Sequence, residues 1–430
     1  MSAPALAQKA DAIFAAHAQK DVLRFITCGS VDDGKSTLIG RLLHDSHQLL
    51  DDQLITLKRD SKRSGSAQEG VDYSLLVDGL AAEREQGITI DVAYRFFSTE
   101  KRSFIVADTP GHEQYTRNMA TAASTAELAV LLVDARKGLT RQTRRHSLLV
   151  SLLGVRRIVL AINKMDLIGW SETAYAKLME DYRAFAEPLG FAEIQGIPLS
   201  ALNGDNVVAP AVAASWYEGP TLMHFLENVA VEASLDAAFR LPVQRVVRHK
   251  DGARGYAGMV AAGSIAVGDT VGILPSGGRS VVTRISTFDG DLPRAERGQS
   301  ITLSVVDEFD ISRGDILSDP ANAPRVAETL TARVFWVAET ALEPGARLNV
   351  KVGTVSGAAI VEDIVSTIDL ETLTANPATV LERNAIGDVR LAFDRSIAFD
   401  AYKNNRDTGS LILIDPATHD TVGMALIQNV

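Results

Sequence analysis

We predict a multidomain chain, with an α/β P-loop domain followed by two small antiparallel β-barrels. Its 430 residues exceed what one hydrophobic core organises, since single cores stop growing near about 250–300 residues. Over the first half, apolar strand-like runs alternate with helical patterns, which predicts βα units around a mostly parallel sheet. Over the second half, short β-rich runs alternate with turn signals such as Gly277-Gly278, which predicts antiparallel barrels.

This change of pattern divides the chain into four expected segments. Residues 1–22 are Ala-rich and are expected to form an N-terminal helical extension, residues 23–238 the P-loop domain, residues 239–325 the first barrel and residues 326–430 the second. In the P-loop domain, strands are predicted at residues 23–28, 104–107, 128–133, 158–162 and 194–199. In the barrels they are predicted at residues 241–247, 256–262, 270–274, 281–285, 301–305, 329–337, 347–352, 360–368, 385–393 and 411–414.

The composition is typical of a soluble globular protein and favours a cytoplasmic location. Hydrophobic residues make up 46% of the chain and charged residues 23%. No apolar run is long enough to span a bilayer, and no signal peptide is expected. One cysteine, Cys28, permits no internal disulfide, and a net charge of −11 leaves few cations for broad nucleic-acid binding.

Residues 29–36 read GSVDDGKS, the GxxxxGK[ST] pattern of a P-loop, directly after the first predicted strand. The backbone N–H groups of such a loop face anionic oxygens at the N-terminus of a helix, here predicted at residues 37–43. Lys35 is expected on the β- and γ-phosphates, and the Ser36 hydroxyl on Mg²⁺. The predicted phosphate-binding residues of this segment are Gly29, Ser30, Val31, Asp32, Asp33, Gly34, Lys35, Ser36 and Thr37.

Asp108 and Thr89 are the other predicted magnesium ligands beside Ser36. Asp108 ends a predicted strand in the sequence DTPGH, where its carboxylate can support the metal. Asp108 is also a predicted residue of the phosphate site. Gly111 is expected to offer its N–H to the γ-phosphate, because it has no Cβ to obstruct approach. Thr89 lies in EREQGITID at 83–91, a segment expected to be released when the γ-phosphate is lost; a plain β-strand residue is the alternative.

Two further segments, NKMD at 163–166 and SAL at 200–202, are predicted to read the base. The Asp166 carboxylate can accept from guanine N1–H and the exocyclic amine, a pair that adenine lacks. The Lys164 stem can lie along the ring. The predicted guanine-binding residues are Asn163, Lys164, Asp166, Ser200, Ala201 and Leu202, and the expected nucleotide is GTP.

His112 follows Gly111 at the position where other GTPases carry a water-orienting Gln. Phosphoryl transfer depends on placing the water and stabilising charge more than on a strong base. We therefore expect His112 to orient the attacking water; a histidine without a catalytic role is the alternative. The predicted catalytic residues are His112, Thr89 and Lys35.

These motifs resemble those of the translation-factor group of GTPases, over essentially the whole chain. Within that group the chain is similar to the GTPase subunits of bacterial two-subunit sulfate adenylyltransferases (ATP sulfurylase large subunits). GSVDDGKSTLIGRLL at 29–43, with the pair Asp32-Asp33, is similar to the P-loop of that family, whereas elongation factors usually carry His at the second position. DTPGHEQYTRNMATAAS at 108–124 and the ending at 405–427 also match it.

The resemblance implies a GTP- and Mg²⁺-binding subunit that acts with a smaller catalytic subunit. In this family the smaller subunit binds ATP and sulfate and forms adenosine 5′-phosphosulfate and pyrophosphate. GTP hydrolysis on the larger subunit is coupled to that unfavourable reaction. Neither a membrane nor a nucleic-acid partner is implied.

A translation elongation factor that delivers aminoacyl-tRNA is the alternative function, because the fold and the nucleotide motifs fit it equally well. A basic cluster could face tRNA, although solvated strand ends and a turn are the simpler interpretation: Arg245, Arg248, His249, Lys250 and Arg254. The pair Asp32-Asp33 counts against this alternative. So does the C-terminal motif that contains Asn405, Arg406, Thr408 and Gly409.

Overall fold

The structure is a computed structural model that describes residues 20–46, 55, 57, 59, 61, 71–77, 89, 91–112, 115–230, 237–248 and 252–428. The chain divides into two compact units, residues 1–231 and residues 232–430. Residues 1–19 of the predicted helical extension lie outside the described residues. The end of that extension is strand rather than helix, because Val22 begins the first strand and pairs with Ser103. Among the described residues, no helix is both long and apolar enough to cross a membrane.

Six strands of the first unit form one sheet: β1 (Val22–Cys28), β2 (Ala93–Ser98), β3 (Ser103–Asp108), β4 (Leu128–Asp134), β5 (Arg157–Asn163) and β6 (Glu193–Pro198). Their order is β2-β3-β1-β4-β5-β6. All neighbours are parallel except β2 and β3, which are antiparallel. The predicted mostly parallel sheet is confirmed. Strand β2 was not predicted, because an edge strand with alternating exposure lacks the continuous apolar run of a central strand.

Helices follow most of these strands. The α-helices among the described residues of this unit are α1 (Lys35–Asp45), α2 (Thr116–Ala123), α3 (Arg141–Leu152), α4 (Glu172–Ala186) and α5 (Leu222–Asn228). Helix α1 begins directly after Gly34 and contains the predicted helix at 37–43. Helix α3 begins with a reciprocal cap, in which Thr140 Oγ1 accepts from the Thr143 N–H and the Thr143 hydroxyl oxygen accepts from the Thr140 N–H.

The core of this unit lies against the two central strands. Strand β4 is buried at all of its seven positions, as expected of a parallel strand covered on both faces. On the other side of β1, Phe97 stacks on Phe104 with ring centroids 4.7 Å apart, and Phe25 meets Phe97 edge-on at 6.3 Å. Burying each such ring contributes about 1.5–3 kcal/mol to the stability of this packing.

The second unit begins with a sheet over the segment predicted as the first barrel. Its strands are β7 (Arg240–Pro242), β8 (Arg245–Arg248), β9 (Arg254–Met259), β10 (Ser264–Ala266), β11 (Thr270–Leu274), β12 (Gly278–Thr287), β13 (Gly290–Leu292), β14 (Arg294–Glu296), β15 (Ser300–Val305) and β16 (Ile316–Ser318). The main path is β7-β16-β11-β12-β15-β9-β8, with β13 on β12 and β10 paired with β14. Among the described residues no ladder joins β7 to β8, so this sheet is a half-barrel around its own core.

One predicted strand of this sheet is two strands in the structure. The run at 241–247 is interrupted between β7 and β8, where the backbone changes partners. The Val243 N–H donates to the carbonyl oxygen of Asp315, and the next N–H, of Gln244, donates to that of Ala257. An uninterrupted apolar run does not reveal such a change of partner.

The C-terminal segment of the second unit forms a closed barrel. Its strands are β17 (Arg325–Trp336), β18 (Arg347–Val352), β19 (Val355–Ile368), β20 (Ala375–Pro377), β21 (Ile386–Phe399), β22 (Ser410–Ile414) and β23 (Thr421–Ile427). All pairs are antiparallel in the order β18-β22-β23-β17-β21-β19, and β18 also pairs with β19, which closes six strands on each other. The predicted class, an α/β P-loop domain followed by two small antiparallel β-barrels, is confirmed, with the first barrel present as a half-barrel and the second closed.

The C-terminal motif supports a buried ion pair within this second unit. Arg240 Nε and Nη2 each donate to the Asp400 carboxylate at 2.9 Å, and the Thr408 hydroxyl donates to the same carboxylate at 2.6 Å. Gly409 has no room for a side chain, since an added Cβ would lie 2.5 Å from the Asn405 carbonyl oxygen. Of the basic cluster, His249 and Lys250 lie outside the described residues, while Arg248 and Arg254 are paired across β8 and β9.

Candidate functional site

Four predicted site segments follow the carboxyl ends of parallel strands, at one edge of the first unit's sheet. The P-loop follows β1, Asp108 ends β3, Asn163 ends β5, and residues 200–202 follow β6. The register places these ends level, with Thr27 opposite Asp108. This edge is where open α/β sheets bind ligands, because helix N-termini and loop N–H groups converge there.

The P-loop has a backbone that requires glycine at its end. Gly34 has φ 94°, in the left-handed region that favours glycine. A Cβ added there would lie 2.5 Å from the Asn163 side-chain nitrogen. Around this bend Asp33 is buried, Val31 and Thr37 are half-buried and Asp32 is exposed.

Lys35 is buried at the first turn of α1. Its Nζ donates to the carbonyl oxygens of Gly29, at 3.2 Å, and Ser30, at 2.9 Å. Burial lowers the pKa of the ammonium, while the carboxylates of Asp108 and Asp33 oppose that shift. Gly111 packs against it, since a Cβ at Gly111 would lie 2.5 Å from Lys35 Nζ and 2.8 Å from the Val31 nitrogen. The structure therefore brings Gly111 and the P-loop lysine together.

The three predicted magnesium ligands lie together, because the hydroxyls of Ser36 and Thr89 both donate to the carboxylate of Asp108. Asp108 Oδ2 accepts from the Ser36 hydroxyl at 3.0 Å and from the Thr89 hydroxyl at 3.4 Å, and the two hydroxyl oxygens lie 3.4 Å apart. The Thr27 hydroxyl holds the other oxygen of Asp108 at 3.2 Å. Burial raises the pKa of the Asp108 carboxyl, and the Lys35 ammonium opposes the rise. Two hydroxyls and a carboxylate are hard oxygen donors of the kind that Mg²⁺ prefers, so the donor set fits this metal.

Asp33 is a buried carboxyl inside the P-loop. Its Oδ2 accepts from the Ser30 N–H at 2.7 Å, while its Oδ1 has no hydrogen-bond partner among the described residues. Burial raises its pKa from 3.8 to about 6, against the lowering effects of the Ser30 N–H and the Lys35 ammonium. The carboxyl thus closes the loop upon itself.

The Asn163 side chain connects the phosphate and base segments. Its Nδ2 donates to the carbonyl oxygen of Asp33 at 2.8 Å. Its Oδ1 accepts from the backbone N–H of Ala201, at 2.9 Å, and of Lys164, at 2.8 Å. One buried amide therefore sets the distance between the P-loop and the segment at 200–202.

The other base-segment residues surround this amide. Lys164 has φ 64°, and its ammonium contacts the Asp32 carbonyl oxygen and the Asp134 carboxylate. Asp166 is half-buried in the 3₁₀ turn Met165–Ile168. Ser200 and Ala201 are buried, whereas the Leu202 side chain is exposed.

Arg41, a residue that sequence reasoning missed, supports the 200–202 segment from α1. Its Nε donates to the Ala201 carbonyl oxygen at 3.3 Å, and a second branch donates to the Leu202 carbonyl oxygen. The guanidinium lies 4.3 Å from the ring centroid of Tyr73, which holds it in place.

His112 directly follows Gly111 in the chain and is half-buried. Its ring centroid is 6.1 Å from that of Tyr115, and Glu113 and Gln114 lie outside the described residues. Its proximity to the Gly111–Lys35 contact comes from the chain itself. The water-orienting role stays a prediction.

Two further residues that hold the start of the P-loop were missed by the sequence prediction. Thr140 caps α3, and His146 lies within α3. The Gly29 N–H donates to His146 Nδ1 at 3.1 Å, and the hydroxyl oxygens of Ser30 and Thr140 lie 2.7 Å apart. Burial lowers the pKa of His146 to about 3, so the ring is neutral and Nδ1 can accept. No local sequence signal marks them, because each is more than a hundred residues from its partner.

The residues at this sheet edge can hold a polyphosphate, a divalent cation and a planar base next to one another. The Lys35 ammonium can bind an anion, the hydroxyls at Asp108 suit a hard cation, and the Asn163–Lys164–Asp166 segment is joined to the P-loop by the Asn163 amide. This chemistry is that of a nucleoside triphosphate site.

Comparison with known proteins identifies the family. Residues 20–238 match the model of the elongation factor Tu GTP binding domain, and residues 329–428 match the GTP-eEF1A C-terminal domain-like model. Sulfate adenylyltransferase subunit 1 of Methylorubrum populi is 59% identical, with 98% of this chain and 90% of that relative covered. The corresponding proteins of Yersinia pseudotuberculosis and Aeromonas salmonicida are each 54% identical, with 96% of this chain and 87% and 88% of those relatives covered. The chain therefore belongs to the sulfate adenylyltransferase subunit 1 family, and its first half is a GTP-binding domain of the elongation factor Tu type.

Proposed function

We propose that this chain binds and hydrolyses GTP as one subunit of a two-subunit sulfate adenylyltransferase. In this proposal, GTP hydrolysis is coupled to the synthesis of adenosine 5′-phosphosulfate from ATP and sulfate on a separate, smaller subunit. One observation carries the nucleotide assignment: the Asn163 amide joins the P-loop carbonyl of Asp33 to the N–H of Ala201, which sets the phosphate and base segments side by side. The family supplies the reaction to which hydrolysis is coupled.

The phosphates are assigned to the P-loop and to the end of β3. Residues 29–37 would surround the α-, β- and γ-phosphates with N–H groups, together with Asp108 and Gly111. Lys35 would exchange its bonds to the Gly29 and Ser30 carbonyl oxygens for phosphate oxygens. The close packing of Gly111 on this ammonium supports a contact of both with the same phosphate.

Magnesium is assigned to Ser36, Thr89 and Asp108. The hydroxyls of Ser36 and Thr89 already donate to one carboxylate oxygen of Asp108. When bound, the ion would neutralise charge on the phosphates. Ser36 would hold it from α1 and Thr89 from the segment at 83–91. Asp108 would support both hydroxyls.

The base and the attacking water are assigned to the remaining residues. Asp166 would pair with the N1–H and amine of guanine, Lys164 would lie along the ring, and the Ser200–Leu202 segment would face O6. The N–H of Ala201 is engaged by Asn163, so this segment is already fixed in position. His112, half-buried beside Gly111, would orient the attacking water.

A smaller subunit that binds ATP and sulfate is the proposed partner. The phosphate–sulfate anhydride is high in energy, so its synthesis requires coupling to a favourable reaction such as GTP hydrolysis. We place the complex in the cytoplasm, on the single buried Cys28. We propose that this chain has three domains, at residues 23–238, 239–325 and 326–430, after an N-terminal extension that ends before β1.

The experiment is GTP turnover by the purified chain, with and without the smaller subunit from the same genome, in ATP, sulfate and Mg²⁺. We expect slow hydrolysis alone and a marked rise that tracks adenosine phosphosulfate formation. The matched control replaces sulfate with water, which should remove the rise. Stimulation by ribosomes with aminoacyl-tRNA, and not by the smaller subunit, would instead assign the chain to translation.

A further inference from the structure

Asp134 is a buried carboxylate at the site edge that no sequence motif singled out. It ends β4 and is fully buried, and the register places it opposite Asn163 at the end of β5. The next residue supports this alignment, since the Ala135 N–H donates to the Asn163 carbonyl oxygen at 2.9 Å. Asp134 therefore lies one strand away from the base segment and at the same level.

Two cationic side chains contact the Asp134 carboxylate: Arg136 bonds both oxygens, and Lys164 contacts one of them. Asp134 Oδ2 lies 3.0 Å from Lys164 Nζ and accepts from Arg136 Nη2 at 2.7 Å. Oδ1 accepts from both the backbone N–H and the Nε of Arg136 at 3.0 Å. The hydrogen bonds from Arg136, and secondarily the Lys164 ammonium, hold the pKa of the carboxyl below its usual range. The group is therefore anionic at neutral pH.

Lys164 is thereby fixed at both ends. Its backbone N–H donates to Asn163 Oδ1 at 2.8 Å, and its ammonium contacts Asp134 and the Asp32 carbonyl oxygen of the P-loop. A free lysine side chain samples many rotamers, and each binding event has to order it. The Asp134 carboxylate selects one of those rotamers before any ligand arrives.

We propose that Asp134 is a positioning residue of the guanine-nucleotide site, whose buried carboxylate holds the Lys164 side chain in its binding conformation and so prolongs the residence of GDP and GTP. This inference rests on the proposed function, because it takes Lys164 as a guanine contact. Asp134 itself touches no nucleotide. It acts through Lys164.

A purely structural role is the competing explanation, because Asp134 also organises the turn that follows it. Its carbonyl oxygen accepts from the N–H groups of Lys137 and Gly138, and Oδ1 accepts from the Arg136 N–H. Asn in place of Asp keeps the Oδ1 acceptor and the backbone bonds, but removes the charge that attracts Lys164. Because Asn also lacks the Oδ2 acceptor of Arg136 Nη2, Asp134→Asn is compared with Arg136→Ala, which removes the Arg136 side-chain contacts and keeps the charge on Asp134.

The test is the rate at which methylanthraniloyl-GDP dissociates from the full-length chain. We expect Asp134→Asn and Lys164→Ala each to speed dissociation by about tenfold or more, and the double variant to be no faster than Lys164→Ala alone. Such non-additivity is the signature of residues that act through one contact. Asp181→Asn, an exposed carboxylate on α4, is the matched control and should leave the rate unchanged.

Arg136→Ala gives a second test, because it removes the guanidinium but keeps the Asp134 carboxylate and the Arg136 backbone N–H that donates to it. Lys164 would remain the cation on Asp134, so dissociation should stay within about threefold of wild type; a tenfold increase would overturn the proposal in favour of the turn. Unchanged dissociation in Asp134→Asn, or multiplicative effects in the double variant, would overturn it as well. A wild-type chain that retains no GDP would overturn both this inference and the proposed function, whereas tight wild-type binding isolates the failure to Asp134.

Discussion

The side-chain nitrogen of Asn163 donates a hydrogen bond of 2.8 Å to the backbone carbonyl oxygen of Asp33, although the two residues are 130 positions apart. Asn163 is buried, so neither group has water as an alternative partner. The same side chain accepts from the Ala201 N–H through its oxygen. The P-loop and the base segment are thus joined by one amide.

Asn163→Asp should remove the hydrogen bond that joins the base segment to the P-loop, with little change in side-chain size. The carboxylate can still accept from Ala201 and Lys164, but it cannot donate to Asp33, and an unsatisfied buried acceptor costs about 1–3 kcal/mol. We expect about 10- to 100-fold weaker binding of both GDP and GTP, measured by equilibrium titration of a fluorescent nucleotide. Asn203→Asp, at an exposed position of the neighbouring loop, should leave the affinity almost unchanged. Weaker binding of GTP alone would contradict this structural link.

Asp166→Asn should change which base is bound. The carboxylate pairs with two donors of guanine, and Asn presents a donor in place of one acceptor, which suits the carbonyl group of xanthine at the same position. We expect affinity to move from GTP toward xanthosine triphosphate, measured by competition between the two nucleotides. Asp181→Asn is the matched control on α4. An unchanged preference for GTP would remove Asp166 from the base site.

The strands that carry the site could be predicted closely because their signal is local. The run at 128–133 differs from β4 by one residue, since a strand buried on both faces needs an unbroken apolar sequence. Among the described residues, strands β2, β10, β13, β14, β16, β20 and β23 were missed; five of them have only three residues, too few to show a periodic pattern, and β2 is an edge strand. The run at 241–247 was not divided, because an exchange of partners depends on other parts of the chain. The P-loop was found for the same reason as β4, since its chemistry requires contiguous residues.

The partners of the site residues were harder to predict. His146 bonds Gly29 from 117 positions away, and Arg41 reaches Ala201 across 160 positions, so neither contact leaves a pattern in the sequence. Asp134 is the exception, because it follows an apolar run at a carboxyl edge as Asp108 does. The rule that selected Asp108 also selects Asp134 when it is applied to every strand.

His112→Ala should slow GTP hydrolysis and leave GTP binding nearly intact. A group that places the attacking water contributes in the transition state and little in the ground state, so the loss should be about 10²-fold in rate. Single-turnover hydrolysis and the dissociation constant of a non-hydrolysable GTP analogue give the two quantities separately. His224→Ala, an exposed histidine on α5, is the matched control. Equal losses of binding and rate would argue against the water-orienting role.

The Asp33 carboxyl should make the stability of the nucleotide-free chain depend on pH. Burial raises its pKa from 3.8 to about 6, against the lowering effects of the Lys35 and Lys137 ammonium groups and with a further rise from the Asp134 carboxylate. Between those two pH values the folded chain binds more protons than the unfolded chain. This contribution to the free energy of unfolding therefore falls as pH rises from about 4 to about 6, and is constant above about 7.

Asp33→Asn removes this titration while an oxygen remains to accept from the Ser30 N–H. A rise in the pKa of Asp33 from 3.8 to about 6 corresponds to about 3 kcal/mol, so the variant should gain up to that amount over wild type as pH rises to 7. The gain should be smallest below about pH 3, where Asp33 is protonated in both states. Urea unfolding of both nucleotide-free proteins, from pH 4.5 to pH 8, measures the difference. A gap that does not widen with pH over this interval would mean that Asp33 ionises in the folded chain as readily as in the unfolded one.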